Sequence, residues 1–204
     1  MRAKRAALGI QMHSGWGVLV AVCWDERVLE ILERRRITVI DPAMAGATQP
    51  YHHARLQLDT RGLEQAERHI ADCASNTERL SISALESVLA SLRNRGYRVA
   101  GSAVLLSAGR PLPDLPKILG SHPMIHTAEG EFFSQAVRNT CERLHIPVVG
   151  IRKRDLVDEA KKAFGKSSAR VQRTIAGLGK SIGPPWKADH KTAALAAATV
   201  LQRH

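Results

Sequence analysis

Three things are scarce in this 204-residue chain: cysteine, aromatic rings and carboxylates. Cys23, Cys73 and Cys141 are odd in number and far apart, and no CxxC pair occurs. That excludes a disulfide framework and a cysteine zinc site, and each thiol reads as a small core filler. Aromatic residues make up 4% of the chain against 44% hydrophobic residues, so the expected core is built from Leu, Val, Ile and Ala. So few rings also disfavour single-strand binding by stacking bases on aromatic platforms. Asp and Glu number 19 against 30 Lys and Arg, a formal net charge of +11, which favours polyanionic partners, nucleic acid first. No apolar run approaches the roughly 20 residues of a membrane span. The apolar stretch after Met1-Arg2-Ala3-Lys4-Arg5 is too short for a signal peptide. A cytoplasmic protein without a membrane partner is expected; the oligomeric state is left open.

What is present divides cleanly into strands and helices. Residues 6–12 and 16–24 read as strands with a bend near Ser14-Gly15. Asp25-Glu26 is a turn candidate, and residues 27–40 alternate as a third strand ending before Asp41-Pro42. Residues 42–58, with Pro42, Gly46 and Pro50, read as loop. A helical region runs from about Gly62 to Arg95, with Leu85, Val88, Leu89 and Leu92 on one stripe and Gly96 as its stop. Residues 98–106 form a strand, and Arg110 to Pro113 a loop. Thr127 predicts the N-cap of a helix over 128–144. Residues 146–151 form a short strand, helices follow over 154–164 and 168–178, and Gly183-Pro184-Pro185-Trp186 is a stiff turn. The chain closes on an Ala-rich helix opened by Asp189. No repeat or composition shift divides the sequence, so a single domain over 1–204 is expected, with three hairpinned strands followed by crossover units.

Asp189 carries most of the functional information. At helical spacing it shares a face with Ala193, Ala196 and Val200, and a carboxylate at the mouth of an apolar stripe is costly unless paired. Small side chains let such a helix lie close to a sheet, where the first strand offers Gln11 and His13 but no acid.

The element order, with Leu8-Gly9-Ile10-Gln11 followed by Gly15-Trp16-Gly17-Val18, and with Phe133-Ser134-Gln135-Ala136 and Pro147-Val148-Val149 leading to Asp189, resembles the ribonuclease H-like superfamily, nearest its Holliday-junction resolvase branch. The segments HxGW, IHTAEGE and GPPWxxDxK also resemble an uncharacterised bacterial family, which implies no activity. The superfamily resemblance implies an α/β fold with a mixed five-stranded sheet, antiparallel in its first three strands and parallel in the last two, flanked by helices. It further implies carboxylates holding two divalent ions, Mg²⁺ or Mn²⁺, for phosphodiester cleavage. Asp189 matches the C-terminal acid. Gln11 stands at the first-strand acid position and Leu106-Ser107 near the end of the fourth strand, where the second acid is expected. The resemblance therefore leaves three readings open: a divergent metal-dependent nuclease, a scaffold that binds nucleic acid or a protein partner without cleavage, and a small-ligand or nucleotide binder.

Other residues could complete a site. His126 and Glu129, three apart, can share a helical face. With Asp189 they form the candidate metal ligands, and a mixed His/carboxylate set also suits Zn²⁺. His13, Glu129 and Asp189 are the candidate catalytic residues, His13 as general base with Asp189 as its orienting partner. Each has a plainer reading. Glu129 and Glu131 would stabilise a helix dipole from its first turn, Asp189 would cap its helix, His126 would be a hydrogen-bonded structural histidine and His13 would fill a turn. His52 and His53 are adjacent, so in a strand one of them would face a cleft. Trp186 reads as a packing lid. Two phosphate-loop look-alikes, Ala160 to Ser167 and Gly179-Lys180-Ser181, lack the Gly-rich strand-to-helix turn that cradles phosphate. Arg34-Arg35-Arg36 and Arg152-Lys153-Arg154 are basic clusters, the second extended by Lys161, Lys162, Lys166 and Arg170. Arg35, Arg152, Lys153, Lys161, Lys166 and Arg170 are the candidate nucleic-acid contacts, better suited to backbone phosphates than to bases; an ordinary solvated face is the plainer reading.

Overall fold

The computed structural model describes residues 3–25, 28–107 and 111–203. Met1, Arg2, the Glu26 half of the predicted turn, the predicted strand start at Arg27 and the Arg110 loop start lie outside the described residues. Five strands, β1 (Lys4–Met12), β2 (Trp16–Asp25), β3 (Val28–Thr38), β4 (Tyr97–Leu106) and β5 (Val148–Arg152), form one sheet in the order β3-β2-β1-β4-β5. β1 pairs antiparallel with β2, and β2 with β3; β1 and β4, and β4 and β5, pair parallel. This is the mixed sheet expected from the sequence. β1 lies at its centre, and residues 6–12 are buried, because a strand covered on both faces must be apolar throughout rather than alternating.

Two helical layers cover the sheet. On one face lie α5 (Leu156–Phe164), α6 (Ser168–Gly177) and the closing α8 (Ala188–Arg203), packed on Val18, Val20, Ala103 and Leu105. On the other lie α2 (Leu63–Asn94) and α4 (His122–Arg143), packed on Leu8, Ile10, Leu19 and Val104. α8 buries every residue from Ala193 to Leu201. It can do so because β1 has no side chain at Gly9: a Cβ there would stand 1.9 Å from the Ala193 carbonyl oxygen. That single close approach sets the height of α8 on the sheet.

Two expectations need correction. Residues 42–58 are not all loop, since α1 (Pro50–Arg61) begins inside them, so His52 and His53 stand on a helix and not on a strand. Pro50 begins α1, where a missing N–H costs nothing, and Tyr51, Ala54 and Leu58 pack against Ala66 and Leu119. α4 starts at His122, six residues before the expected 128. Thr127 is inside it, donating from Oγ1 to the Pro123 carbonyl at 3.0 Å, because Ile125 and Ala128 extend the buried stripe upstream. Short helices α3 (Leu115–Leu119) and α7 (Gly179–Ile182) complete the chain.

Candidate functional site

Strand alternation puts Gln11 and His13 on the α8 face of β1. The contact at Gly9 then decides what they meet. Asp189 lies one helical turn, about 6 Å, before Ala193, and Gln11 lies two strand residues, about 6.7 Å, beyond Gly9. The two displacements match, and the Asp189 carboxylate lands on both side chains. Gln11 Nε2 donates to Asp189 Oδ1, and His13 Nε2 lies 3.0 Å from Asp189 Oδ2. Gln11 is buried, whereas the His13 and Asp189 side chains are each 33% exposed. Asp189 is therefore not the helix cap of the plainer reading: it is the second residue of α8, and both its oxygens are turned to β1.

The β1–β2 turn fixes the imidazole. Gly15, at φ 80°, reverses the chain, and the His13 N–H donates to the Trp16 carbonyl at 2.7 Å. The two rings stack with centroids 4.3 Å apart, and the Arg36 guanidinium lies over Trp16 at 4.1 Å. His13 thus has Asp189 at one nitrogen and an indole on one ring face, which leaves little rotamer freedom.

His13 also lines a cleft of about 340 Å³ whose walls include His52, Ser107, His126, Glu129 and Lys153. Glu129 faces inward. Its Oε1 accepts from the backbone N–H groups of Tyr51 at 2.8 Å and His52 at 3.0 Å, and lies 3.3 Å from His52 Nδ1. A carboxylate on α4 therefore caps the N-terminus of α1 in place of Gln49, which makes no side-chain cap. Glu129 Oε2 is buried without a hydrogen-bond partner among the described residues. Burial holds the Glu129 carboxyl above the usual carboxylate range, against the pull of the His52 and Tyr51 donors.

The candidate metal set separates. Among the described residues, the only group of three or more histidine, cysteine or carboxylate side chains whose ligand atoms all lie within 4.8 Å of one another is His52, His122 and His126. Of the expected ligands only His126 belongs to that group; Glu129 is committed to the α1 terminus and Asp189 to β1. Reasoning from sequence missed His122, although His122 and His126 at i, i+4 are a helical pair, because the helix was expected to start after both.

Nor do the residues fit the two divalent ions of the resemblance. The acid positions hold the Gln11 amide, whose N–H faces Asp189, and Ser107, whose Oγ donates to the Gly130 carbonyl at 3.4 Å. One carboxylate with both oxygens engaged is a poor donor set for hard cations that need several oxygens.

The basic residues fall into unequal groups. Arg35 is turned to the α2 face, ion-paired with Glu33 and donating to Ser87 Oγ at 2.9 Å, apart from the other candidate contacts. Arg34 is structural, donating to the carbonyls of Ile182, Gly183, Pro184 and Pro185. Arg152 pairs with Asp155 and Lys161 with Asp158. Lys153, Lys166 and Arg170 are exposed and make no ion pair among the described residues. Trp186 packs over α6, its Nε1 donating to the Ile175 carbonyl at 2.8 Å.

The strand order, the strand directions and the helices on both faces of the sheet are those that the ribonuclease H-like resemblance implies. No family model matches the chain, and no curated protein matches it. Similar solved structures include two of RuvC from Thermus thermophilus. The first, in complex with a Holliday junction substrate, is 12% identical with a TM-score of 0.47, covering 96% of this chain and 91% of that one. The second is 12% identical with a TM-score of 0.44, covering 95% and 92%. Among the described residues no helix is long and apolar enough to cross a membrane.

Proposed function

We propose that the chain, as one ribonuclease H-like domain, is a nuclease-like protein that takes nucleic-acid phosphodiesters in the cleft beside His13 and hydrolyses them with His13 as general base. The observation that carries this reading is the 3.0 Å contact of Asp189 with His13, the member of the pair that lines that cleft. With the Nε2 proton given to Asp189, the lone pair is at Nδ1, the orienting logic of a histidine–carboxylate pair. His13 Nδ1 accepts a proton from water as the water oxygen bonds to phosphorus. The P–O bond to the sugar breaks, and the departing oxygen takes a proton from solvent. The Lys153 ammonium at the cleft wall offsets charge on the phosphoryl oxygens. No step is assigned to a pair of divalent ions, because the donor set at Asp189 does not suit them. Glu129 is a positioning residue that holds α1 to α4.

Lys153, Lys166 and Arg170 supply the backbone-phosphate contacts of this reading. The test is cleavage of labelled single-stranded, duplex and branched DNA and RNA at low salt, with Mg²⁺, Mn²⁺, Zn²⁺ or chelator. His13→Ala is expected to lower the rate by about 10² to 10⁴-fold with unchanged binding; a rate unchanged by His13→Ala overturns the assignment. A second reading, binding without cleavage, draws on the Gln11 amide that occupies an acid position. It predicts salt-sensitive binding with no turnover under any of these ions.

A further inference from the structure

We propose that His52, His122 and His126 form a binding site for one imidazole-preferring divalent cation of the Zn²⁺ class, distinct from the Asp189 centre. Their ligand atoms all lie within 4.8 Å of one another. Ring centroids are 4.4 Å apart for His122 and His126, 5.0 Å for His52 and His126, and 5.8 Å for His52 and His122. Ordinary Zn–N distances of about 2.1 Å in tetrahedral geometry place ligand nitrogens roughly 3.4 Å apart. His122 and His126 are exposed, so their side chains have room to rotate toward that spacing.

Two features make this more than three neighbouring rings. His122 and His126 stand one turn apart on α4, the spacing that turns two imidazoles to one side of a helix. The third ligand comes from the first turn of α1, which Glu129 fastens to the same helix through the Tyr51 and His52 N–H groups. Glu129 Oε1 also lies 3.3 Å from His52 Nδ1. A proton held there leaves the His52 Nε2 lone pair for a cation, and a carboxylate behind a ligating histidine fixes its tautomer and raises its basicity.

Three neutral nitrogen donors suit Zn²⁺, Co²⁺, Ni²⁺ or Cu²⁺ and not Mg²⁺ or Ca²⁺. Three protein ligands leave a fourth tetrahedral position open, the pattern of sites that hold water or substrate. His52 and His126 line the same cleft as His13, so the open position belongs to that side of the molecule. The proposal does not rest on the hydrolase reading, because metal binding is measured without substrate.

The experiment is calorimetric titration of the metal-free full chain with ZnCl₂ and with MgCl₂, together with the visible spectrum of the Co²⁺ form. Expected is one Zn²⁺ per chain, no Mg²⁺ uptake at this site, and a tetrahedral Co²⁺ spectrum. His122→Ala and His126→Ala should each weaken Zn²⁺ at least 10-fold, and Glu129→Gln by about 10 to 100-fold. His145→Asn, at an exposed histidine beyond the end of α4, should bind as the parent does. Both α4 ligands are exposed, so circular dichroism is expected to show these variants folded. Absence of stoichiometric Zn²⁺ binding, or equal affinity in the parent and the His122→Ala/His126→Ala double variant, overturns the proposal.

Discussion

Asp189 sets the balance at the residue scale. Its negative charge is tolerated at the edge of an apolar layer because Gln11 and His13 each offer a nitrogen to one oxygen, and because an acid in the first turn of a helix is favoured by the dipole. A carboxylate in place of the buried Gln11 amide would face Asp189 directly. Gln11→Glu is expected to lower stability in chelator by about 1–3 kcal/mol, measured by denaturant unfolding, with part of the loss recovered in Mn²⁺ as two acids acquire a cation to share. A variant as stable as the parent in chelator contradicts the contact. His69 gives a pH prediction independent of the cleft. Buried against Cys73 and beside the His53 ring, it is held below the usual histidine range by burial first and by His53 second. A folded-state value below the unfolded one means that its contribution is present above the unfolded value, 6.5, and is lost as pH falls below it. His69→Gln should therefore show a shallower loss of stability from pH 7 to pH 5 than the parent, and an identical slope counts against the assignment. At this scale the sequence was legible where chemistry and periodicity agreed, as at Asp189, Gln11 and His13. The inward turn of Glu129 was not, because it depends on a partner 77 residues away in α1, and His122 was not, because α4 starts upstream of where Thr127 predicts it.

Among the elements, α8 positions the candidate site and Gly9 positions α8. Gly9→Ala would drive a methyl group to 1.9 Å from a backbone oxygen that cannot rotate away. The helix must lift, at a cost of about 3 kcal/mol or more by the standard of overpacked cores. Thermal unfolding reads the loss, and the His13–Asp189 contact should loosen with it. Little change in the melting temperature would mean that α8 is not seated on β1 as described. The strands and the long helices were readable because their buried residues repeat at a single period, as with Leu85, Val88 and Leu92 on α2. α1 was not. Its N-terminal donors are satisfied by a glutamate of α4 rather than by a residue just before it, and a cap supplied from another element leaves no trace in local sequence. The start of α4 was misplaced for the converse reason, since Thr127 looks like a cap and instead bonds back to Pro123.

Across the whole molecule, the basic excess is unevenly used. The excess of 30 basic over 19 acidic residues is partly spent internally: Arg34 holds the proline turn, and Arg152, Lys161 and Lys162 pair with acids of their own segment. Lys153, Lys166 and Arg170 remain exposed on the α5–α6 side. If all three touch phosphates, changing them together to Ala should reduce the slope of log K against log salt by about 0.9 per residue on duplex DNA. An unchanged slope assigns the binding elsewhere. The central claim, that the closing helix and the first strand together build a working histidine–aspartate pair, is tested most directly by one comparison, the initial cleavage rate of the parent and of Asp189→Asn at saturating nucleic acid. The expected result is cleavage by the parent and a loss of about 10²-fold or more in the variant. Equal rates, or a parent that cleaves nothing under any ion supplied, would contradict the account.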